Sequence, residues 1–499
     1  MASVEEESLT FFPSDASDVD HSFTSSASST SFATTFSGRS SLSLPSFSSS
    51  SSALRPLPHR RSDPHWSAVG AASNLSPDGT LHLRHLRLLR HLGSGNLARV
   101  FHCRLRGFDA SDPSSSSSAA DFALKVVDLD AVARAVGETT KEADDGGRLS
   151  HVRTEARVLA ELDHPFLPTL YARLDASHYA CFLIDYCPGG DLHSLLRRSP
   201  GHRLPPNAVR FYAAEVLLSL EYLHALGFVY RDLKPENVLL RADGHVMLSD
   251  FDLCFQSNVT PVLVRHRRLR RCRRRPSTLP RLTCCFGGAQ TLGDEEEEED
   301  EVVEFVAEPE AAYSRACVGT HEYLAPEVVN ANGHGNGVDW WAFGVFIYEL
   351  LYGRTPFKGG SKEATLRNIS TRELRFPDGV LAAGDDVAAA KDLISRLLVR
   401  DPKRRMGCAR GAAEIKRHPF FEGIRWPLIR CTRPPVVFGP AGGAQGRAAK
   451  EGCGKKQRWR SKWKWSSWSG TTKNIVVNGN RGIKLVLGSK KKTKEKGGK

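Results

Sequence analysis

No stretch of this 499-residue chain approaches 18 consecutive apolar residues, so no transmembrane helix is expected. The opening decapeptide MASVEEESLT is acidic and runs into Ser-rich sequence, which is not the pattern of a secretory signal. CxxC pairs are absent and the 11 Cys follow no regular framework, which excludes a disulfide scaffold and suits a reduced compartment. Internal repeats are missing as well. What remains is 40 % hydrophobic content, enough for a large two-part core in a soluble, intracellular protein. The net charge of +13 is not spread evenly. Residues 436–499 hold 17 Lys/Arg against two Glu, a local +15, which leaves the other 435 residues at −2. Any anionic partner of the basic residues there has to be sought through that tail.

Residues 21–52 contain 16 Ser and 4 Thr. So little apolar surface cannot offset the entropy of ordering, and a disordered leader is expected over 1–82, either plainly solvated or a site of multiple phosphorylation or partner docking. Regular structure is predicted from Leu83. LRLLRHLGSGNLARVFHCRL reads as strand, glycine turn, strand; FALKVVDLD is a further strand after a Ser-rich loop at 114–118. In VRTEARVLAEL, Val152, Ala156, Leu159 and Leu162 recur at helical spacing. YACFLIDY is strand-like and closes a small β-rich lobe, residues 83–185. From 186 to 426 the pattern turns helical. NAVRFYAAEVLLSLEYLHALG is a long helix closed by Gly227, NVLLRADGHVML is a hairpin about Asp243-Gly244, and VDWWAFGVFIYELLYG is apolar nearly all round. Residues 254–313 fit neither lobe: an Arg-rich run, CCFGG and the acidic run at 294–301 show no periodicity, and a long mobile insertion is expected.

The densest chemistry lies in YRDLKPENVLLRADGHVMLSDFD, residues 230–252. Asp232 can orient and accept a hydroxyl proton, Lys234 can balance charge on a transferred phosphoryl group, and Asn237 and Asp250 offer hard oxygens to Mg²⁺. In the N-terminal lobe, GSGNLARV can lay backbone N–H groups over phosphates, although a plain glycine hairpin reads the same way. Ala123 and Lys125 share one strand face, leaving space for a flat base beside a cation, although a snorkelling surface Lys reads the same way. Glu155 can fix Lys125 by an ion pair, or can be a solvated helix charge.

Taken together, YRDLKPEN, LSDFD, APE at 325–327 and DWWAFG look like the protein-kinase signature set across about residues 86–426. DYCPGGDLHSL, VGTHEYLAPE, DFD where most kinases have DFG, and the long insertion resemble the plant AGC-type serine/threonine kinases, in the group with PINOID and the WAG kinases. The resemblance implies an α+β, two-lobed protein-kinase fold that binds ATP and Mg²⁺ between a β-rich N-lobe and a helical C-lobe. It makes Asp232 the general base and Lys234 and Asn237 its catalytic-loop partners. Lys125 pairs with phosphates and with Glu155, and Asn237 and Asp250 are the metal ligands. Leu92, Gly93, Ser94, Gly95, Val100 and Ala123 surround the nucleotide, with Asp185 to Cys187 as the adenine hinge. Asp191, Glu236 and Thr320 face the substrate, implying a Ser/Thr target near basic residues, and Arg405 clamps Glu327. Some family members phosphorylate the hydrophilic loops of PIN auxin-efflux carriers.

Two departures bear on regulation. Ala316 stands where related activation segments carry a phosphorylated Ser, leaving Ser314 as the nearest hydroxyl. After Phe421 the only Phe is Phe438, so a Phe-x-x-Phe docking motif for an upstream phosphoinositide-dependent kinase is not found. The tail's KKQRWRSKWKWSSWSG suits an anionic membrane surface, and equally a solvated basic tail; nucleic-acid binding rests on the tail alone and leaves the core unexplained. The eight Arg of 265–275 are a second membrane candidate, with Cys272, Cys284 and Cys285 as acylation candidates, or they pair with the acidic run. These features fit a cytoplasmic enzyme, peripheral at the plasma membrane and compatible with a nuclear pool. The alternative from another class is a pseudokinase scaffold recruited to membranes by its basic segments. It is favoured by Ala98 in the third glycine position and by Ala316, and opposed by the intact catalytic set.

Overall fold

The computed structural model describes residues 58–95, 98–106, 120–132, 147–176, 178–270, 298–309, 311–379, 381 and 384–435, with two short paired strands at 474–476 and 484–486. Residues 1–57, most of the insertion and most of the tail lie outside it. So do the Ser-rich run, the loop at 114–118 and Cys272, Cys284, Cys285 and Phe438. Among the described residues no helix is long and apolar enough to cross a membrane.

Chain order begins earlier than composition suggests. A helix, α1 (Pro64–Ser73), starts where Asp63 accepts a hydrogen bond from the N–H of His65 and Pro64 occupies the first helical position. Trp66, Val69 and Ala72 form its buried stripe and pack with Leu86, Phe122, Tyr171 and Leu183. The expected disordered leader is therefore corrected: residues 58–82 belong to the N-lobe. Five antiparallel strands follow as β1 (Leu86–Ser94), β2 (Ala98–Leu105), β3 (Asp121–Asp128), β4 (Leu170–Ala176) and β5 (Tyr179–Asp185), in the order β1-β2-β3-β5-β4. Between β3 and β4 runs α2 (Gly147–Glu161), burying Val152, Ala156 and Leu159 as their spacing predicts.

The C-lobe opens with a short strand, β6 (Gly190–Asp191), and α3 (Leu192–Arg198). The long helix α4 (Pro206–Ala225) ends at Gly227, whose φ is +83°. A Cβ there would lie 2.2 Å from the Ser257 carbonyl, so glycine is required on two counts. The chain continues through β7 (Phe228–Val229) to the hairpin β8 (Val238–Leu240) and β9 (Val246–Leu248), which flank the Asp243-Gly244 turn, and then β10 (Phe255–Gln256).

A separate compact unit holds β11 (Val262–Arg270) and β12 (Glu298–Val306). These strands are antiparallel, with Arg267 opposite Glu301, Arg268 opposite Asp300 and Arg270 opposite Glu298. The expectation of an insertion without regular structure is corrected for these residues. In this register basic positions stand opposite acidic ones.

The rest of the C-lobe is helical: α5 (Pro326–Val329), α6 (Gly337–Tyr352), α7 (Lys362–Thr371), α8 (Asp385–Leu397) and α9 (Gly411–Lys416). Trp340, Trp341, Phe343 and Phe346 are wholly buried, so α6 is the hydrophobic axis of the lobe.

That axis also carries a buried polar relay. The Asp339 carboxylate accepts from the backbone N–H of Tyr230 (2.7 Å) and of Arg231 (2.8 Å). His224 on α4 bridges Asp339 (2.9 Å) and Glu308 (2.7 Å), and Asn336 donates to Glu308 at 2.8 Å. Burial opposes a charge on His224, but Glu308 and Asp339 outweigh it and push its pKa up to about 10. An unfolded His titrates near pH ~6.5. The folded form therefore keeps a proton that the unfolded form loses between those values. This contribution to stability is complete below ~pH 6.5 and fades by roughly 1 kcal/mol per pH unit as pH rises towards 10. In urea unfolding at ~pH 6.5 and ~pH 9.5, Glu308→Gln should lose less stability over that interval than the unaltered protein. Equal losses would show that His224 is not held protonated by Glu308.

Candidate active site

Strand pairing sets the upper wall of the cleft. On β3, Lys125 lies opposite Val100 of β2 and Phe182 of β5, while Ala123 lies opposite His102 and Ile184. Ala123 is buried, Val100 half-buried and Leu92 exposed. Gly93 pairs with Val100 and Ser94 with Arg99, and the N–H of Gly95 donates to the Ala98 carbonyl at 2.9 Å. Ala98 is an ordinary strand residue opposite Val127, so no glycine is required there. Asn96 and Leu97, at the turn, lie outside the described residues.

Lys125 is held by two anions. Its Nζ donates to Glu155 Oε1 from α2 and, at 2.7 Å, to Asp250 Oδ1. Burial disfavours the ammonium, yet the two carboxylates outweigh it and keep the Lys125 pKa above its ordinary value. Lys125 in turn lowers the pKa of Asp250. Asp252 shifts the other way: burial, reinforced by neighbouring Asp250, pushes its pKa up. Asp250 has φ +66°, a left-handed conformation that aspartate tolerates better than branched residues do.

Below it, Asp232 is buried and its carboxylate is crowded with donors. Lys234 Nζ lies 2.6 Å from Oδ2, Asn237 Nδ2 donates to Oδ2 (3.0 Å) and to the Asp232 carbonyl (2.9 Å), and Thr320 donates its hydroxyl to Oδ1 at 2.9 Å. Lys234 also reaches Thr320 Oγ1 at 3.0 Å. The activation segment approaches closely because residue 319 is glycine: its φ is +106°, and a Cβ would stand 2.7 Å from the Arg231 carbonyl. Thr320 is thus tied to the carboxylate from a segment 88 residues away in sequence.

The remaining expected site residues are placed as follows. Glu327 and Arg405 form a buried bidentate pair at 2.7 and 2.9 Å, with Arg405 also donating to the Val399 and Gly337 carbonyls. Asp191 caps α3, accepting from the Ser194 N–H at 2.6 Å and its hydroxyl at 2.9 Å. Glu236 is exposed, 3.5 Å from His193. The Asp185 side chain accepts from Thr169 N–H at 2.8 Å, and Cys187 packs on Met247, its thiol pushed up to about 12 by burial.

Sequence reasoning missed Arg231, His224, Asp339 and Glu308. Arg231 donates to the Leu253 carbonyl at 2.6 Å and to Ser314 Oγ at 3.2 Å, and its guanidinium covers the Phe255 ring. Arg231 in YRDLKPEN and Asp339 in DWWAFG stood inside quoted motifs, whereas His224 and Glu308 carried no local signal.

Among the described residues no cluster of three or more His, Cys, Asp or Glu could hold a metal. Asp250 and Asn237 are nevertheless hard-oxygen donors of the kind a small divalent cation takes when substrate phosphates and water complete its shell. Lys125 above, the buried Asp232 carboxylate with Lys234 below, and two oxygen donors can orient a hydroxyl towards a phosphoryl group.

A protein kinase domain model matches residues 86–265 and 285–421. The chain is 55 % identical over 464 residues to the serine/threonine-protein kinase WAG1 of Arabidopsis thaliana, covering 90 % of this chain and 91 % of that one. Identity to WAG2 of the same plant is 57 % over 439 residues, covering 85 % and 84 %. Protein kinase PINOID of Oryza sativa subsp. japonica is 47 % identical over 405 residues, covering 79 % and 78 %. With its β-sheet N-lobe, helical C-lobe and interrupted domain, the chain belongs to the protein kinase family, as a plant AGC serine/threonine kinase of the PINOID/WAG type.

Proposed function

We propose that this serine/threonine kinase is catalytically active as a non-specific serine/threonine protein kinase and transfers the γ-phosphoryl group of MgATP to hydroxyls flanked by basic residues. The observation that carries this reading is Asp232, a buried carboxylate held by Lys234, Asn237 and Thr320 beside the Lys125–Glu155–Asp250 cluster. In this reading Asp232 orients the incoming hydroxyl and accepts its proton. Lys234 balances charge as the phosphoryl group passes, and Lys125, fixed by Glu155, takes the phosphates. Asn237 and Asp250 would hold Mg²⁺, which neutralises phosphate charge when bound. Glu236 is exposed and free to meet basic substrate residues, whereas Asp191 does so only at the expense of its capping bonds. The scaffold alternative is not favoured, because every side chain needed for transfer is present.

The relatives' names support auxin-related targets, with PIN-type carrier loops as the proposed substrates. A cytoplasmic enzyme, peripheral at the plasma membrane through 265–275 and the basic tail, is proposed on composition: 17 Lys/Arg against two Glu in residues 436–499. Activity either requires no phosphate at position 316 or has Ser314 take over from Ala316 as the residue that orders the activation segment. Support for Ser314 comes from Arg231, whose guanidinium stands 3.2 Å from the Ser314 hydroxyl and would meet a phosphate there.

Two experiments follow. Transfer from MgATP to a basic Ser/Thr protein should fall at least ~100-fold in Asp232→Asn; transfer at the unaltered rate would remove Asp232 from the mechanism. Ser314→Ala should lower kcat by about tenfold, equivalent to one lost charge-assisted contact. Unchanged kinetics would show that Ser314 is not the substitute for residue 316.

A further inference from the structure

The segment before the kinase strands reaches the back of the nucleotide hinge. Arg60 Nη2 lies 2.9 Å from Asp185 Oδ1, and its Nη1 donates to Asp63 Oδ2 at 2.7 Å. The Tyr171 hydroxyl stands between the two acids, 3.0 Å from Asp63 and 3.3 Å from Asp185. The three charged side chains are only 9–11 % exposed. Without Arg60, two buried carboxylates would share one phenol and no adjacent guanidinium.

Asp63 is fixed from the helix side by the N–H of His65 (2.9 Å) and its Nδ1 (2.6 Å). Burial would raise the Asp63 pKa, but His65 and Arg60 outweigh it and hold it below the ordinary range. The His65 ring stacks on Tyr171 and meets Phe122 edge-on, and Phe122 is the β3 partner of Asp185. A second tie runs from the His59 ring to Asp163, whose N–H donates to the Tyr222 hydroxyl on α4 at 3.0 Å.

Asp185 is thereby anchored from behind, its side chain committed to Thr169, Tyr171 and Arg60, and the hinge from 185 to 187 is left to present its backbone. We propose that Arg60 and Asp63 are positioning residues for this hinge, so that residues 58–73 form the back support of the nucleotide site. The inference rests on the proposed nucleotide site at 185–187. Prior ordering of the hinge lowers the entropy lost when a base binds.

The test uses the full chain and three readouts: the MgATP KM and kcat, the ATP Kd by equilibrium titration, and hydrogen exchange at the amides of Tyr186, Cys187 and Gly189 without nucleotide. Arg60→Ala should raise KM and Kd by about tenfold, with kcat within about twofold, and should speed exchange at the hinge. Arg60→Lys, which keeps one ion pair to Asp185, should recover part of the affinity. Combining Arg60→Ala with Asp185→Asn should weaken ATP binding by less than the product of the single effects. If Arg60→Ala does not fold, Arg60→Gln carries the same expectations. A lowered melting temperature with unchanged KM, Kd and hinge exchange would make the segment a purely structural strap and overturn the proposal. Failure of the unaltered protein to bind ATP would refute the nucleotide reading instead, while exchange in the nucleotide-free protein would still decide whether Arg60 orders the hinge.

Discussion

The catalytic loop hangs from a single buried carboxylate. Asp339, with no exposure at all, receives the N–H groups of Tyr230 and Arg231 and the ring of His224. An unpaired carboxylate in such a place would be costly; three donors make it a fixed point. Because it sits on α6, the most hydrophobic helix of the C-lobe, the rigidity of that core passes directly to the two residues before Asp232. Glu308 extends the same relay to the chain emerging from the insertion, through a single imidazole.

From that fixed point the site is a balance of opposite charges. Lys125 holds Glu155 and Asp250 together, while Lys234 holds Asp232 and Thr320. Each cation therefore joins segments remote in sequence, and Lys234 can turn its charge to phosphate while Asn237 and Thr320 still hold Asp232. Asp252, where most kinases have glycine, adds an acid beside Asp250. Burial and that neighbour raise its pKa.

Much of this was legible in the chain because the chemistry is local. Asp232, Lys234 and Asn237 lie within one loop, and strand alternation places Ala123 and Lys125 on one face. The hairpin about Asp243-Gly244 and the buried helix at 337–352 follow from turn chemistry and uniform hydrophobicity. What was missed has physical reasons. The Ser-rich composition of the leader hid a short helix whose Asp-Pro start and Trp66, Val69, Ala72 stripe carry the signal. In the insertion, dense charge masked a strand pairing that only becomes visible when Arg267, Arg268 and Arg270 are set against Glu301, Asp300 and Glu298. The bond from His224 to Glu308 spans 84 residues, and that from Arg60 to Asp185 crosses a whole lobe of sequence. No local pattern announces such contacts.

The most direct test of the account is the kinetics of Asp339→Asn, with ATP affinity measured alongside. One amide can accept from one N–H but turns its own donor towards the other, so the loop should lose its setting while the nucleotide pocket survives. The account predicts a kcat lowered by on the order of 100-fold with ATP Kd nearly unchanged. A variant that folds and keeps its full kcat would contradict it, and would place the control of Asp232 elsewhere than in the buried carboxylate.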